Sequence, residues 1–187
     1  MDTLVLDIET KNTFGDVGGK DRLLKLLISV ACFYSYNQDK YFSFDENQFE
    51  EAKKFLETRA RLVGFSSNKF DIPLLAHNLG LDLMSYPRID ISDEIELRTG
   101  RLIGLNDLAH LNLGEVKTHK GLDAPVLYAA GKMEELKEYC LQDVKITKDL
   151  FDKLKKSGEL ILPARRTSQS DEPSILEINL SENPDFM

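Results

Sequence analysis

The chain opens on an apolar run, Leu4-Val5-Leu6 and then Ile8, broken at Asp7 and Glu9. Thr3–Glu9 predicts a strand with apolar residues on both faces, the pattern of a buried strand. Leu27–Tyr36, rich in β-branched and aromatic residues, predicts a second strand and Lys40–Phe44 a third, joined by the hairpin loop Asn37–Asp39. Lys11–Lys20, with three glycines, predicts a loop between the first two. After Asp45 the apolar period changes from two to that of a helix, placing Phe49, Ala52 or Lys53, and Phe55/Leu56 on one side. Arg61–Ser66 predicts a fourth strand, followed by a helix over Asp71–Leu79 that Gly80 ends. Pro87–Ile91 predicts a short fifth strand. Leu105, Leu108, Ala109 and Asn112 predict a helical stripe over Leu105–Leu113. In the longest helical stretch, Met133–Lys156, the buried stripe is Leu136, Cys140, Val144, Thr147, Phe151 and Leu154. Strands followed by alternating helices and strands predict an α/β fold with a mixed sheet. The expected division is one domain over 1–162 and a polar tail over 163–187, where Arg, Ser, Glu and Pro replace core residues.

A length of 187 residues allows one domain with a substantial core. The first residues, MDTLVLD, lack the basic region of a signal peptide, and no apolar run reaches the roughly 20 residues that span a bilayer. Cys32 and Cys140 lie far apart in apolar segments and read as reduced core residues, so a cytoplasmic protein is expected. A net charge of −8 argues against a broad basic surface that coats nucleic acid. It leaves room for an enzyme that meets phosphate through bound divalent cations, because acidic ligands look too negative until the metal is counted.

Asp7 and Glu9, two apart in a strand, share one face of the sheet, where their charges repel and are expensive to desolvate. Asp71 follows the fourth strand at the start of a helix. It reads either as an N-cap or as a ligand-binding group at the carboxyl end of a strand. Tyr139 and Asp143, four apart, share a helix face beside the apolar stripe. Each element alone has an ordinary structural explanation. Together they make four carboxylates able to meet at one sheet end, an oxygen-only donor set that suits Mg²⁺ or Mn²⁺. Two such ions roughly 3.5–4 Å apart stabilise the attacking and leaving oxygens of a phosphodiester displacement.

The ordered set Asp7-x-Glu9, Asn68-x-Phe70-Asp71 and Tyr139-x-x-x-Asp143 resembles the three motifs of the DEDD superfamily of 3′–5′ exonucleases, over roughly Asp2 to Phe151. The Tyr139 spacing resembles the tyrosine (DEDDy) branch. The histidine branch needs a histidine where this chain has Glu138. The segments Leu105–Pro125 and Tyr139–Phe151 look most like stand-alone relatives of B-family polymerase editing domains. The resemblance implies a ribonuclease-H-like three-layer domain, a mixed five-stranded sheet flanked by helices. It implies that Asp7, Glu9, Asp71 and Asp143 bind two Mg²⁺ or Mn²⁺ ions while Tyr139 places the attacking water. The implied substrate is a single-stranded nucleic acid with a free 3′ end, DNA favoured, cleaved to nucleoside 5′-monophosphates. No polymerase domain follows in these residues, so proofreading in cis is not expected.

Asn68 is a candidate for holding the terminal nucleotide, Lys69 for a phosphate contact, Thr10 for the terminal ribose, and Phe70 for a wedge against a base or simple packing. The loop Lys117–Gly121 concentrates positive charge and reads as a backbone-tracking segment or a solvated loop. Asp93, after the fifth strand, is the expected cap of the next helical turn, with Asp90 a further acid beside it. His77, His110 and His119 show no zinc or dyad spacing. Two other functions remain open: a structure-selective endonuclease on the same scaffold, and a nucleic-acid-binding module of low turnover.

Overall fold

A computed structural model of the chain describes residues 1–58, 60–114, 124–164 and 172–183. The alternation in the first strand is resolved into two sides. β1 (Thr3–Thr10) turns Leu4, Leu6 and Ile8 into one apolar cluster and Val5 into the other. Between β1 and β2 (Ile28–Ser35) the expected loop carries a short capped helix, α1 (Phe14–Val17), and a 3-10 segment over Lys20–Lys25. β2 is buried along its whole length and pairs with β3 (Lys40–Asp45) through the expected hairpin. α2 (Phe49–Glu57), β4 (Arg61–Gly64), α3 (Asp71–Leu79), β5 (Arg88–Asp90) and α4 (Ile91–Thr99) follow. Then come α5 (Leu105–Leu113), α6 (Ala124–Ala129), α7 (Met133–Ser157), β6 (Glu159–Leu162) and β7 (Ser174–Glu177).

The main sheet has five strands in the order β3-β2-β1-β4-β5. β1 runs antiparallel to β2 and parallel to β4, and β4 runs parallel to β5, so the sheet is mixed as expected. α2 and α3 supply the cluster on one face, and α4 to α7 supply the cluster on the other. The three-layer ribonuclease-H-like fold is therefore present. Every residue of the expected α7 stripe is buried. Cys32 and Cys140 are free thiols buried in the α7-side layer. Among the described residues no helix is long and apolar enough to cross a membrane.

The parallel strands β1 and β4 finish at the same sheet edge, where α/β sheets gather ligand-binding groups. β4 stops early, however. Its pairing with β1 ends at Val5 opposite Val63, and β1 continues unpaired by it to Thr10. A shift in the β1–β2 register between Glu9 and Thr10 bends that extension.

The description of 163–187 as a polar tail needs correction for 172–183. β7 pairs antiparallel with β6, and Ile178 and Leu180 are buried in the α7-side cluster. The Asn112 side chain completes this small sheet, donating to the Ile161 carbonyl and accepting from its N–H, both at 2.8 Å. Leu176 packs against the same cluster, and the surrounding Ser, Glu and Pro dilute this apolar signal in the sequence. Ile178→Ala is expected to cost about 2–5 kcal/mol by chemical denaturation, as for a filled core position. A value near zero would restore the tail description.

Candidate active site

Residue parity on β1 sends Asp7 and Glu9 toward the face covered by α7, the side to which Val5 also points. α7 crosses that face with Cys140 in its buried stripe, and the Cys140 thiol donates to the Asp7 carbonyl at 3.3 Å. One turn earlier than Val144 on that helix face stands Cys140, and Asp143 beside them is only 9 % exposed. Asp7, Glu9 and Asp143 each offer a carboxylate oxygen within 4.8 Å of the other two.

Asp71 arrives from the opposite side of β1. α3 begins there, but its N-cap is Phe70, without a side-chain capping bond, so the capping explanation for Asp71 fails. Its Oδ1 instead accepts the backbone N–H of Ile8 at 3.0 Å. The carboxylate takes the place of the β4 carbonyl that would have paired with Ile8 had β4 continued. Asp71 is thus anchored between Asp7 and Glu9, though it lies outside the set of three whose oxygens converge.

These acids sit where charge is costly. Burial pushes the Asp7 carboxyl well above the usual range, and the Asp71, Glu9 and Asp143 carboxylates push it further. Burial also raises Asp71, to about 7, against the lowering effect of the Ile8 N–H. Asp7 Oδ2 is a buried acceptor with no hydrogen-bond donor. An orphaned carboxylate oxygen, neighbouring like charges and an all-oxygen donor set fit a divalent cation, which would supply the missing positive charge.

Beside the acids is a cavity of about 260 Å³. Glu9, Thr10, Asn12, Thr13 and Tyr139 form its polar side, and Phe14, Leu26, Phe70, Ala124 and Pro125 its apolar side. Phe14 and Phe70 meet edge to face, centroids 6.0 Å apart. Of the four residues expected to bind substrate, Thr10 and Phe70 line this cavity. Thr10 Oγ1 donates to the Asn12 carbonyl at 2.8 Å, and Phe70 also packs on the α3-side core. Asn68 and Lys69 are not brought there. Asn68 donates to Asp93 and accepts from Arg88 Nε, and Lys69 pairs with Asp93 at 3.0 Å and with Glu96. The Lys117–Gly121 loop lies outside the described residues.

Sequence reasoning missed Phe14, whose signal was the Thr13-x-x-Asp16 capping box that makes α1 a rigid mount. It also reversed two acids. Asp90 caps α4, accepting from the Ser92 and Asp93 N–H groups, whereas Asp93 is the partner of Asn68 and Lys69.

Residues 2–159 match the model of a 3′–5′ exonuclease family. Among curated proteins none matches the chain. Among solved structures, the family B DNA polymerase from the hyperthermophilic archaeon Pyrobaculum calidifontis is similar in fold. Its TM-score is 0.58 at 18 % identity, covering 82 % of this chain and 24 % of the polymerase chain. The chain thus spans about a quarter of that polymerase's length.

The raised carboxyls set a pH dependence. A folded-state pKa above the unfolded value gives stability that is complete below the unfolded pKa and lost as pH rises through the folded one. For Asp71 the window runs from its ordinary 3.8 up to about 7. In chelator, thermal stability is expected to fall as pH rises across that window, by up to roughly 1.4 kcal/mol per pH unit for each proton released. Saturating Mn²⁺ should flatten the fall, and Asp7→Asn should weaken it. Thermal melts over that pH range, with and without Mn²⁺, check this; identical slopes would contradict it.

Proposed function

The chain belongs to the 3′–5′ exonuclease family, and from that premise we propose that it is a DEDD-type exonuclease that trims single-stranded 3′ ends, DNA favoured, to nucleoside 5′-monophosphates. The observation that carries this reading is the convergence of Asp7, Glu9 and Asp143 beside a cavity that Tyr139 lines. Asp7, Glu9 and Asp143, with Asp71 as the fourth carboxylate, would hold two Mg²⁺ or Mn²⁺ ions. Divalent cations there supply the positive charge that stabilises the attacking and leaving oxygens of the phosphodiester displacement. The Tyr139 phenol orients the attacking water by a hydrogen bond, the role that the tyrosine branch gives this position.

The cavity supports an unpaired terminal base. Its apolar walls, Phe14, Leu26, Phe70 and Pro125, offer surfaces for stacking, and stacking tolerates any base. Its polar side chains are largely engaged within the protein. Asn12 spans the Lys25 carbonyl and the Leu27 N–H, and Thr13 is bound to Asp16. This arrangement favours cleavage without strong sequence preference. Only a splayed strand delivers its last base into such a cavity, which is why duplex ends should react slowly.

The test is time-resolved digestion of end-labelled single-stranded DNA and RNA with Mg²⁺ or Mn²⁺, with circular single strands and blocked 3′ ends alongside. Stepwise release of 5′-mononucleotides from free ends alone is expected, and nicked circles would indicate an endonuclease. Asp7→Asn should lose about 1,000-fold or more in rate, which corresponds to about 4 kcal/mol of transition-state stabilisation. Tyr139→Phe should lose about 100-fold, the scale of a misplaced reactant. Wild-type rates in Asp7→Asn would remove the proposed site.

A further inference from the structure

Asp90 lies outside the nuclease cluster, yet its side chain accepts five hydrogen bonds. It is 3 % exposed and ends β5. Its Oδ1 accepts the Ser92 N–H at 3.0 Å and the Asp93 N–H at 3.2 Å, which accounts for its capping of α4. Capping explains only two of these five bonds. The same Oδ1 accepts the Ser66 N–H at 2.9 Å, and Oδ2 accepts the Asn68 N–H at 2.9 Å and the Ser67 hydroxyl at 3.4 Å. Ser66 to Asn68 belong to the turn that runs from β4 to α3 and ends at Asp71.

That turn is not one the chain adopts freely. Ser66 has φ of 59°, a left-handed conformation that costs a non-glycine residue roughly 1–3 kcal/mol and persists only where its surroundings impose it. Gly64, just before, faces Ser67 so closely that an added Cβ would overlap the serine side chain. The turn then closes on itself through Lys69 N–H to Ser66 O and Phe70 N–H to Ser67 O, and Ile72 N–H bonds back to Ser67 O. Within it the chain doubles back, bringing the Asp71 carboxylate under the Ile8 N–H.

We propose that Asp90 is a positioning residue for the nuclease site: by gripping Ser66, Ser67 and Asn68 it holds the β4–α3 turn in its strained form and so fixes where Asp71 stands beside β1. This rests on the reading of Asp71 as a ligand. A carboxylate suits the task because both oxygens only accept, and every group hydrogen-bonded to them donates. An amide at the same position must present an NH₂ either to the Asn68 N–H or to the Ser66 and Ser92 N–H groups. One side of the grip is then lost, and the turn relaxes away from β1.

The experiment measures turnover against Mn²⁺ concentration for wild type, Asp90→Asn, Gly64→Ala, Leu56→Ala and Asp71→Ala, with thermal melts of each. Gly64→Ala pushes on the turn from the β4 side, at the residue paired with Asp90 across the β4–β5 ladder, and leaves the Asp90 carboxylate itself chemically unchanged. Leu56→Ala opens a cavity under α2 without removing any bond of the turn, and controls for general loss of stability. Asp90→Asn and Gly64→Ala are expected to need about tenfold more Mn²⁺ for half-maximal rate, the scale on which outer groups around metal ligands act. At saturating Mn²⁺ their turnover should return to within a few-fold of wild type. Leu56→Ala should melt lower with its Mn²⁺ requirement unmoved.

A wild-type Mn²⁺ requirement in Asp90→Asn overturns the proposal, as does an equal shift in Leu56→Ala. If Asp90→Asn does not fold, Gly64→Ala decides by the same criterion. Wild-type activity in Asp71→Ala overturns the ligand reading itself, and the positioning role falls with it. Loss in Asp71→Ala beside an unshifted Asp90→Asn overturns the positioning role alone.

Discussion

The hydrogen bond from the Ile8 backbone to Asp71 is the contact on which the nuclease site depends. It exists because β4 ends at Gly64 while β1 runs on, leaving the β1 N–H groups without a strand partner on that side. A buried N–H must find an acceptor, and Asp71 provides one from the first turn of α3. The same bond that completes the backbone places a carboxylate between Asp7 and Glu9 in sequence. Sheet topology and site chemistry are thus fixed by one interaction. The strained turn behind it and the α4 cap beyond are the supports that keep it in register.

On the other face, α7 brings Asp143 to Asp7 by the same packing that buries Leu136, Cys140 and Val144. The apolar stripe sets the helix's rotation, and Asp143 follows from its place beside the stripe. This precision has a cost, because Asp7 and Asp71 sit deep enough for burial and neighbouring negative charge to favour protonation. In the metal-free protein that repulsion opposes folding at neutral pH. On the proposed reading, bound cations would reverse it, because the buried oxygens would become ligands. The unfavourable electrostatics of the empty cluster and its affinity for divalent ions are one property.

The five-stranded sheet and the Asp7, Glu9 and Asp143 cluster were legible in the sequence, because both follow from periodicity. Period two assigns Asp7 and Glu9 to one face, and the three-and-four spacing of α7 assigns Asp143 to its side. What periodicity does not carry was misread or missed. Asp71 reads from sequence either as a cap or as a ligand-binding group, and its bond to the Ile8 N–H is not legible, since nothing in the sequence says that β4 stops short of β1. Asp90 and Asp93 are both acids at a strand-to-helix junction, and the loop that each would contact lies more than twenty residues upstream. Asn68 and Lys69 belong to a motif that suggests substrate, yet their side chains face α4. The 172–183 segment docks through Leu176, Ile178 and Leu180, a short alternation that the surrounding Ser, Glu and Pro residues obscure.

Calorimetric titration of Mn²⁺ into the protein, in buffers of different ionisation enthalpy, measures the central claim directly. If buried carboxylates hold the cation, binding must displace their protons. Release on the order of one proton is expected just below neutral pH, declining as pH rises past about 7, the raised value for Asp71. Asp7→Asn should bind weakly. Mn²⁺ binding with no proton release at any pH, or equal binding in Asp7→Asn, would contradict a buried four-carboxylate cation site.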